Sequence, residues 1–291
     1  MARTATAANT IVFQGLPGAY SHLACRHVFP KMRARPCQTF EDMLGAVRAG
    51  RAKYAMTPVE NSVAGRVADI HRLLPESGLF VVGEHFMRVN HHLLAPKGAS
   101  LKTIRIVRSH VHALAQCRRA IRRLGLKAIV HADTAGAAAE LAETGDITEA
   151  AIASSLAAEI YGLKSLKANI EDADHNTTRF LVMARKPVKR RRGSGPLVTT
   201  FVFRVRNVPA ALYKALGGFA TNGVNMTKLE SYMVGGSFNA SQFYADVEGH
   251  PDDPGRKFAF EELAFYSRDV RILGTYPADP FRHGARIDVA K

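Results

Sequence analysis

Asn176-Thr177-Thr178-Arg179-Phe180 is the segment whose residue types point most directly to chemistry. It follows an acidic stretch, Glu171-Asp172-Ala173-Asp174, and leads into the apolar run Phe180 to Ala184, which reads as a buried strand. An arginine at the start of such a strand is placed to take a carboxylate in its two-pronged fork, and the adjacent threonines add hydroxyl donors. A second polar segment, Glu60-Asn61-Ser62, offers one carboxylic acid beside an amide and a hydroxyl. Ser21, Asn61-Ser62 and Ser109 stand where strand patterns give way to helix patterns. In a parallel sheet, that is where helix N-termini gather free N–H groups and partial positive charge. Such a crevice suits a small anion, although serine and asparagine also serve there simply as helix caps. His91-His92 and His110 with His112 match no common zinc spacing. Cys25, Cys37 and Cys117 are odd in number and far apart, which reads as reduced thiols rather than a paired framework or a four-thiolate metal site. Phosphate-loop, dinucleotide-glycine and nucleophile-elbow spacings do not occur.

The elements that must carry these residues alternate in type. Thr10 to Gln14 reads as a strand, Ser21 to Phe29 as a helix, and Thr39 to Ala49 as a helix with Thr39 as N-cap, acidic Glu41 and Asp42 in its first turn, and Gly50 just past its end. Lys53 to Thr57 is expected as a strand, with Asn61 or Ser62 capping a helix to Leu74. Thr103 to Val107 follows as a strand, Ser109 as the cap of a helix ending at Gly125, Ala128 to His131 as a strand, and Asp133 or Thr134 as the cap of an alanine-rich helix. This strand–helix alternation is that of an α/β layer structure. After the basic run Arg185 to Arg192 and Gly193-Ser194-Gly195-Pro196, a boundary signal, the order becomes βαββαβ, a ferredoxin-like module: Leu197 to Val205, Pro209 to Thr221, Met226 to Met233, residues 238–247, Arg256 to Ser267 and Val270 to Thr275.

The chain has 291 residues, 47% hydrophobic, with 40 basic and 25 acidic side chains and a net charge of +15. Much of that excess lies in Arg185 to Arg192, without the aromatic interleaving of single-strand binders, so nucleic acid is not an expected partner. No stretch approaches the ~20 apolar residues of a spanning helix, and Met1 to Asn9 lacks the apolar core of a secretory signal. A cytoplasmic protein without a membrane role is expected.

Four segments in this order resemble the prephenate dehydratase family: Gly15-Leu-Pro-Gly18 with Tyr20-Ser-His22; Thr57-Pro-Val-Glu-Asn-Ser62 with Gly65; Ser109-His110 with Ala115-Gln-Cys117; and Asn176-Thr-Thr-Arg-Phe180. The distal part resembles an ACT amino-acid-sensing domain through Asn207-Val-Pro-Ala-Ala-Leu-Tyr213 and Asn225-Met-Thr-Lys-Leu-Glu-Ser231. The resemblance implies a two-lobed catalytic domain like type II periplasmic binding proteins over residues 10–186. Lobe 1 would take about 10–84 and 165–186, lobe 2 about 85–164, with crossings near Glu84 and Ser165. A linker at 187–196, an ACT regulatory domain at 197–278 and a tail at 279–291 would follow. The implied reaction converts prephenate to phenylpyruvate with loss of carbon dioxide and water, without metal or organic cofactor, in a homodimer or homotetramer inhibited by L-phenylalanine.

Carried over by position, Thr178 matches the family's catalytic threonine and is expected to hydrogen-bond the departing hydroxyl. Arg179 would anchor or organise the site, Phe180 would wall the ring, and Asn61 with Ser62 would hold a carboxylate. Glu60 would donate a proton if burial raises its pKa, or else position Asn61. Ser21, Ser109, His112 and Thr177 complete the expected substrate contacts. Asn207, Pro209, Ala210, Ala211, Leu212, Asn225, Met226, Glu230 and Ser231 are the expected phenylalanine contacts. Three departures from the family pattern stand out: Val111-His112 where many members carry Pro-Gln, Ala210 where glycine is usual, and Tyr232-Met233 where Arg-Pro is usual. L-Arogenate in place of prephenate, and a non-catalytic sensor of small anions, remain alternative readings.

Overall fold

The computed structural model describes residues 6–206, 208–233, 240–282 and 284. The chain packs as two compact units, one drawn from residues up to His71 and from His85–Phe180, the other from Arg72–Glu84 and the chain from Leu181 onward. The linker expected at 187–196 lies inside the second unit.

The first sheet contains β1 (Thr10–Gln14), β2 (Arg33–Cys37), β3 (Tyr54–Asn61), β4 (Gly65–Arg66), β5 (Phe80–Arg88) and β11 (Thr177–Ala184), in the order β2-β1-β3-β11-β5 with β4 hairpinned onto β3. β1 runs parallel to β2 and β3, so crossovers are needed, and α1 (Tyr20–Val28) and α2 (Phe40–Arg48) supply them. Thr39 Oγ1 accepts from the Asp42 N–H at 3.0 Å, the cap read from the sequence. α3 (Ala68–Leu73) follows the hairpin. Ile11, Phe13, Met43, Val47, Ala55, Met56 and Ile70 are fully buried around this sheet.

The second sheet contains β6 (His92–Ala95), β7 (Ile106–Ser109), β8 (Lys127–Val130), β9 (Glu149–Ala153) and β10 (Lys164–Lys167), in the order β10-β6-β9-β7-β8. Its helices are α4 (Val111–Gln116), α5 (Arg118–Arg123), α6 (Thr134–Thr144) and α7 (Ser155–Tyr161). β7 is parallel to β8 and β9, while β6 and β10 run antiparallel to their neighbours, so both sheets are mixed. The chain passes between the sheets at residues 89–91 and 168–176. Each passage lies a few residues beyond the expected Glu84 and Ser165, because β5 continues to Arg88 and β10 still pairs with β6 at Ser165.

The βαββαβ order of the C-terminal module is present as β12 (Leu197–Val205), α8 (Ala211–Thr221), β13 (Met226–Met233), β14 (Ala240–Glu248), α9 (Pro254–Tyr266) and β15 (Ser267–Pro277), with strand order β13-β14-β12-β15 and antiparallel pairing throughout. Phe201, Phe203, Phe219, Phe243 and Leu263 centre its core.

Two expected helix starts are corrected. Asn61 and Ser62 do not cap a helix, since β3 runs on through Asn61 and turns into the hairpin. The Asn61 side chain closes that turn by accepting from the backbone N–H groups of Val63 and Ala64, an Asx turn. Ser109 is the last residue of β7, and His110 caps α4 instead, its Nδ1 accepting from the His112 N–H. The expected long helix also breaks at Cys117, whose φ of −121° and ψ of 23° leave the helical region, so α4 and α5 are separate. Among the described residues no helix is long and apolar enough to cross a membrane, and no group of three or more His, Cys, Asp or Glu is arranged to hold a metal ion.

Candidate active site

A cleft of about 590 Å³ is lined from the first sheet by Tyr20, Ser21, Asn61, Arg66, Thr178 and Phe180, and from the second by His110, His112, Gln116 and Asp133. Strand alternation selects the β11 residues that reach it. Thr178 and Phe180 line the cleft, whereas Thr177 and Arg179, one residue out of step, are buried away from it. On β3, Pro58 and Asn61 line the cleft and Glu60 does not.

Neither Arg179 nor Glu60 lines the cleft, so of their expected roles the structure leaves those played from behind it. The Arg179 side chain is 2% exposed and its Nη1 donates to Glu60 Oε1 at 3.0 Å. The carboxylate that the arginine fork takes is therefore Glu60's, and the pair ties β11 to β3 behind the cleft. Arg179 also lies 5.8 Å from the centre of the Phe86 ring. Ser62, Ser109 and Thr177 likewise do not line the cleft. Ser62 Oγ donates to the His175 carbonyl and accepts from the Thr177 N–H, clasping the end of β3 to the start of β11. Ser109 Oγ donates to the Ile152 carbonyl at 2.6 Å, stitching β7 to β9.

The positions of Asn61 and Thr178 follow from hydrogen-bond accounting. Because Asn61 Oδ1 accepts from two backbone N–H groups, its Nδ2 must face the other way. Nδ2 donates to Asn176 Oδ1 at 2.7 Å and to Thr178 Oγ1 at 3.0 Å. The Thr178 oxygen is thus occupied as an acceptor from behind, and its own O–H remains to donate into the cleft.

Asn176, fully buried, donates through Nδ2 to Gln116 Oε1 at 3.0 Å, and His91 Nε2 lies 2.9 Å from the same oxygen. The Tyr20 hydroxyl is 2.7 Å from His91 Nδ1 and 3.1 Å from the Asn90 carbonyl. Burial pushes the His91 imidazole below its ordinary pKa, opposed by its bond to Gln116 and by nearby Glu171. Burial of the Tyr20 hydroxyl pushes that group well above the ordinary phenol value, with Cys117 and Glu171 adding to the effect. Burial also lowers His110, helped by neighbouring His112. Uncharged tyrosine and imidazole therefore stand in the cleft wall near neutral pH.

The loop before α1 fixes the cleft's rim. Ser154 Oγ at the N-cap of α7 donates to the Gly18 carbonyl at 2.6 Å, and the Tyr161 hydroxyl donates to the Pro17 carbonyl at 2.8 Å. Gly18 has φ of +90°, and a Cβ there would lie 2.8 Å from Ala157 Cα, so both backbone and space require glycine. Tyr20, Arg66, Gln116 and Asn176 were not given roles from the sequence, and His91 was weighed only as a metal ligand. Tyr20, Gln116 and Asn176 did lie inside the quoted segments, which was the available signal.

A second cavity, about 550 Å³, lies in the C-terminal module and is lined by Ala210, Ala211, Leu212 and Ser231 together with Arg206, Tyr213, Leu229 and Phe243. Pro209, Asn225, Met226 and Glu230 do not line it. Glu230 pairs with Lys228 at 3.1 Å, Asn225 Nδ2 donates to Glu248 at 3.1 Å, and Met226 packs against the module's core. Asn207 lies outside the described residues.

A family model described as prephenate dehydratase matches residues 11–188. The chain is 55% identical to a bifunctional N-acyl-homoserine lactone acylase/prephenate dehydratase of Komagataeibacter europaeus, over 94% of this chain and 97% of that one. It is 39% identical to arogenate dehydratase/prephenate dehydratase 1 of Arabidopsis thaliana, over 94% of this chain and 73% of that one. A solved prephenate dehydratase from Arthrobacter aurescens, in complex with L-Phe, superposes with a TM-score of 0.84 at 30% identity, covering 97% of this chain and 98% of the other. With the four sequence segments gathered at or directly behind one cleft and the family model matching this length of chain, the protein belongs to the prephenate dehydratase family.

Proposed function

We propose that the protein converts prephenate to phenylpyruvate, carbon dioxide and water in the cleft between the two mixed sheets. The observation that carries this reading is the Thr178 hydroxyl, which lines the cleft and accepts from Asn61, leaving its proton to donate. In the reaction the bond from the ring to its carboxylate breaks, the electron pair aromatises the ring, and the hydroxyl leaves as water once a proton reaches it. Thr178 is a poor acid, so it orients and stabilises the leaving oxygen while a proton arrives from solvent. Phe180 walls the ring, and Arg66, Ser21 and His112 are the cleft residues suited to the two carboxylates. The paired sheets support lobes of the periplasmic-binding-protein type, working in a homodimer or homotetramer in the cytoplasm without a cofactor.

Thr178→Ala is expected to lower kcat by about 10² or more while leaving the fold intact, and Thr178→Ser to lose much less. Near-normal turnover by the alanine variant, followed as phenylpyruvate formation, would remove Thr178 from the mechanism. The Arabidopsis relative's name keeps L-arogenate as a second substrate, and side-by-side turnover of the two decides the preference. The identity with the Komagataeibacter relative favours a second activity on N-acyl-homoserine lactones, tested by release of free homoserine lactone. The C-terminal module is read as an ACT domain whose cavity takes phenylalanine as a feedback inhibitor, supported by the L-Phe complex of the Arthrobacter protein. Calorimetry showing no phenylalanine binding at millimolar concentration would sink that part.

A further inference from the structure

We infer that His91 is a positioning residue for Thr178, acting through Gln116, Asn176 and Asn61. The inference rests on the reading of Thr178 as the group that meets the leaving hydroxyl.

The direction of every bond in the chain is set at one end by backbone. Val63 and Ala64 fix which end of the Asn61 amide is oxygen, and therefore that its nitrogen donates both to Thr178 and to Asn176. Asn176 must then present Oδ1 to Asn61 and Nδ2 to Gln116 Oε1. That oxygen also faces His91 Nε2, which must carry a proton to make the contact. Neutral His91 consequently has an accepting Nδ1, and the Tyr20 hydroxyl meets it at 2.7 Å. The imidazole is held at both nitrogens, and its backbone N–H is held by Glu171 Oε2 at 2.9 Å.

Another buried histidine of the same protein meets a different kind of group. His71, fully buried, has Nε2 2.9 Å from the Val59 carbonyl, a backbone group that no rotation can reverse. His91 instead ends on a side-chain amide that lines the cleft and can turn over. Without the Nε2 proton, Gln116 Oε1 loses one of its two donors, and its amide is held only by Asn176 Nδ2 and, through its own Nε2, by Asn61 Oδ1 at 3.5 Å. A loosened Gln116 loosens Asn176, whose Oδ1 shares the Asn61 nitrogen with Thr178, and so loosens the seat of the Thr178 hydroxyl. His91 borders the cleft but is only 2% exposed, so the split between kcat and KM separates an effect through these neighbours from a direct contact with substrate.

The test uses the full chain with prephenate and compares His91→Leu, which removes the donor, with His91→Gln, whose amide nitrogen replaces Nε2–H. Leucine is expected to lower kcat about tenfold or more with KM within about threefold, and glutamine to recover most of kcat. In a 13C-methyl NMR spectrum, the Thr178 γ2 resonance should shift in the leucine variant and return close to its original position in the glutamine variant. An unchanged kcat in His91→Leu, equal losses in both variants, or a rise in KM at constant kcat would each overturn the inference, the last by making His91 a direct substrate contact. Should His91→Leu fail to fold by circular dichroism, Tyr20→Phe, which releases Nδ1, carries the same kcat and methyl-shift comparison. If Thr178→Ala turns over normally, the catalytic reading falls, and the methyl shift alone then decides whether His91 orients residue 178.

Discussion

Single residues in this protein do different work from neighbours of the same type. Thr177 and Thr178 are adjacent hydroxyls, yet only Thr178 lines the cleft. Ala210 is the residue that departs most clearly from ordinary backbone behaviour. It sits at the N-cap of α8 with φ of +61°, a left-handed conformation that an alanine side chain disfavours by about 1 kcal/mol. It also lines the C-terminal cavity. Ala210→Gly is therefore expected to stabilise the protein by about 0.5–1 kcal/mol and to raise its melting temperature, because the native φ becomes acceptable. A thermal scan showing a lower melting temperature would contradict this account of the turn. In the proposed sensing role, the same variant should bind phenylalanine more tightly, as calorimetry would register.

At the scale of elements, the cleft depends on how its loops are seated. The loop before α1 docks on α7 just ahead of Tyr20 and Ser21, Gly18 meeting Ser154 at the N-cap and Pro17 meeting Tyr161, the last residue of that helix. Gly18→Ala puts a methyl group against Ala157 and forces alanine to φ of +90°, so the loop must lift and carry those side chains with it. A fall of about tenfold in kcat/KM is expected. Gly45→Ala is the matched control: it lies within α2, has nothing within 4 Å of the added Cβ, and should leave kcat/KM unchanged while stabilising the helix by about 0.5–1 kcal/mol. Equal kinetic effects from the two substitutions would show that the docking contact is irrelevant.

For the molecule as a whole, one buried charge cluster and one group of histidines govern stability. Arg282 donates to both oxygens of Glu84, at 2.6 and 2.9 Å, and its Nη2 lies 3.7 Å from Asp246, both carboxylates being fully buried. These residues hold the segment Arg72–Glu84 within the second unit. Arg282→Ala should cost about 3–5 kcal/mol in urea unfolding, since it strips a guanidinium from buried carboxylates. For the same reason, a chain ended near Lys186 would lose the partners of Arg72–Glu84, and its catalytic part is expected to be less stable than the intact protein. Acid acts through the imidazoles. Burial lowers His22, His91 and His110 below the ordinary value of 6.5, so above that pH neither folded nor unfolded chain protonates them. As pH falls below about 6.5 the unfolded chain takes up protons that the folded one does not, and their contribution to stability declines towards the lower folded pKa. The drop in urea midpoint between pH 7 and pH 5.5 should be smaller in His91→Gln than in the original protein. An equal drop would mean that His91 is not held neutral.

Local signals made much of this architecture legible in the residues alone. Thr39 with Glu41 and Asp42, and Asp133 before α6, are patterns of capping that neighbouring residues settle among themselves, and the βαββαβ order of the C-terminal module was legible likewise. The segments gathered at the cleft were legible as chemistry for the same reason, through residue type and order. The tertiary structure decided which way each side chain points and whom it meets. Arg179 reads as a carboxylate anchor until β3 is laid beside β11 and Glu60 takes its fork. Asn61 reads as a helix cap until the hairpin turns its oxygen onto Val63 and Ala64. His91 and Gln116, 25 residues apart, meet Asn176 a further 60 residues along only because the chain crosses twice between the sheets. Caps and periods are encoded over a few residues, whereas the face of a strand and the partner of a fork are fixed by sheet register, and that depends on packing between distant segments.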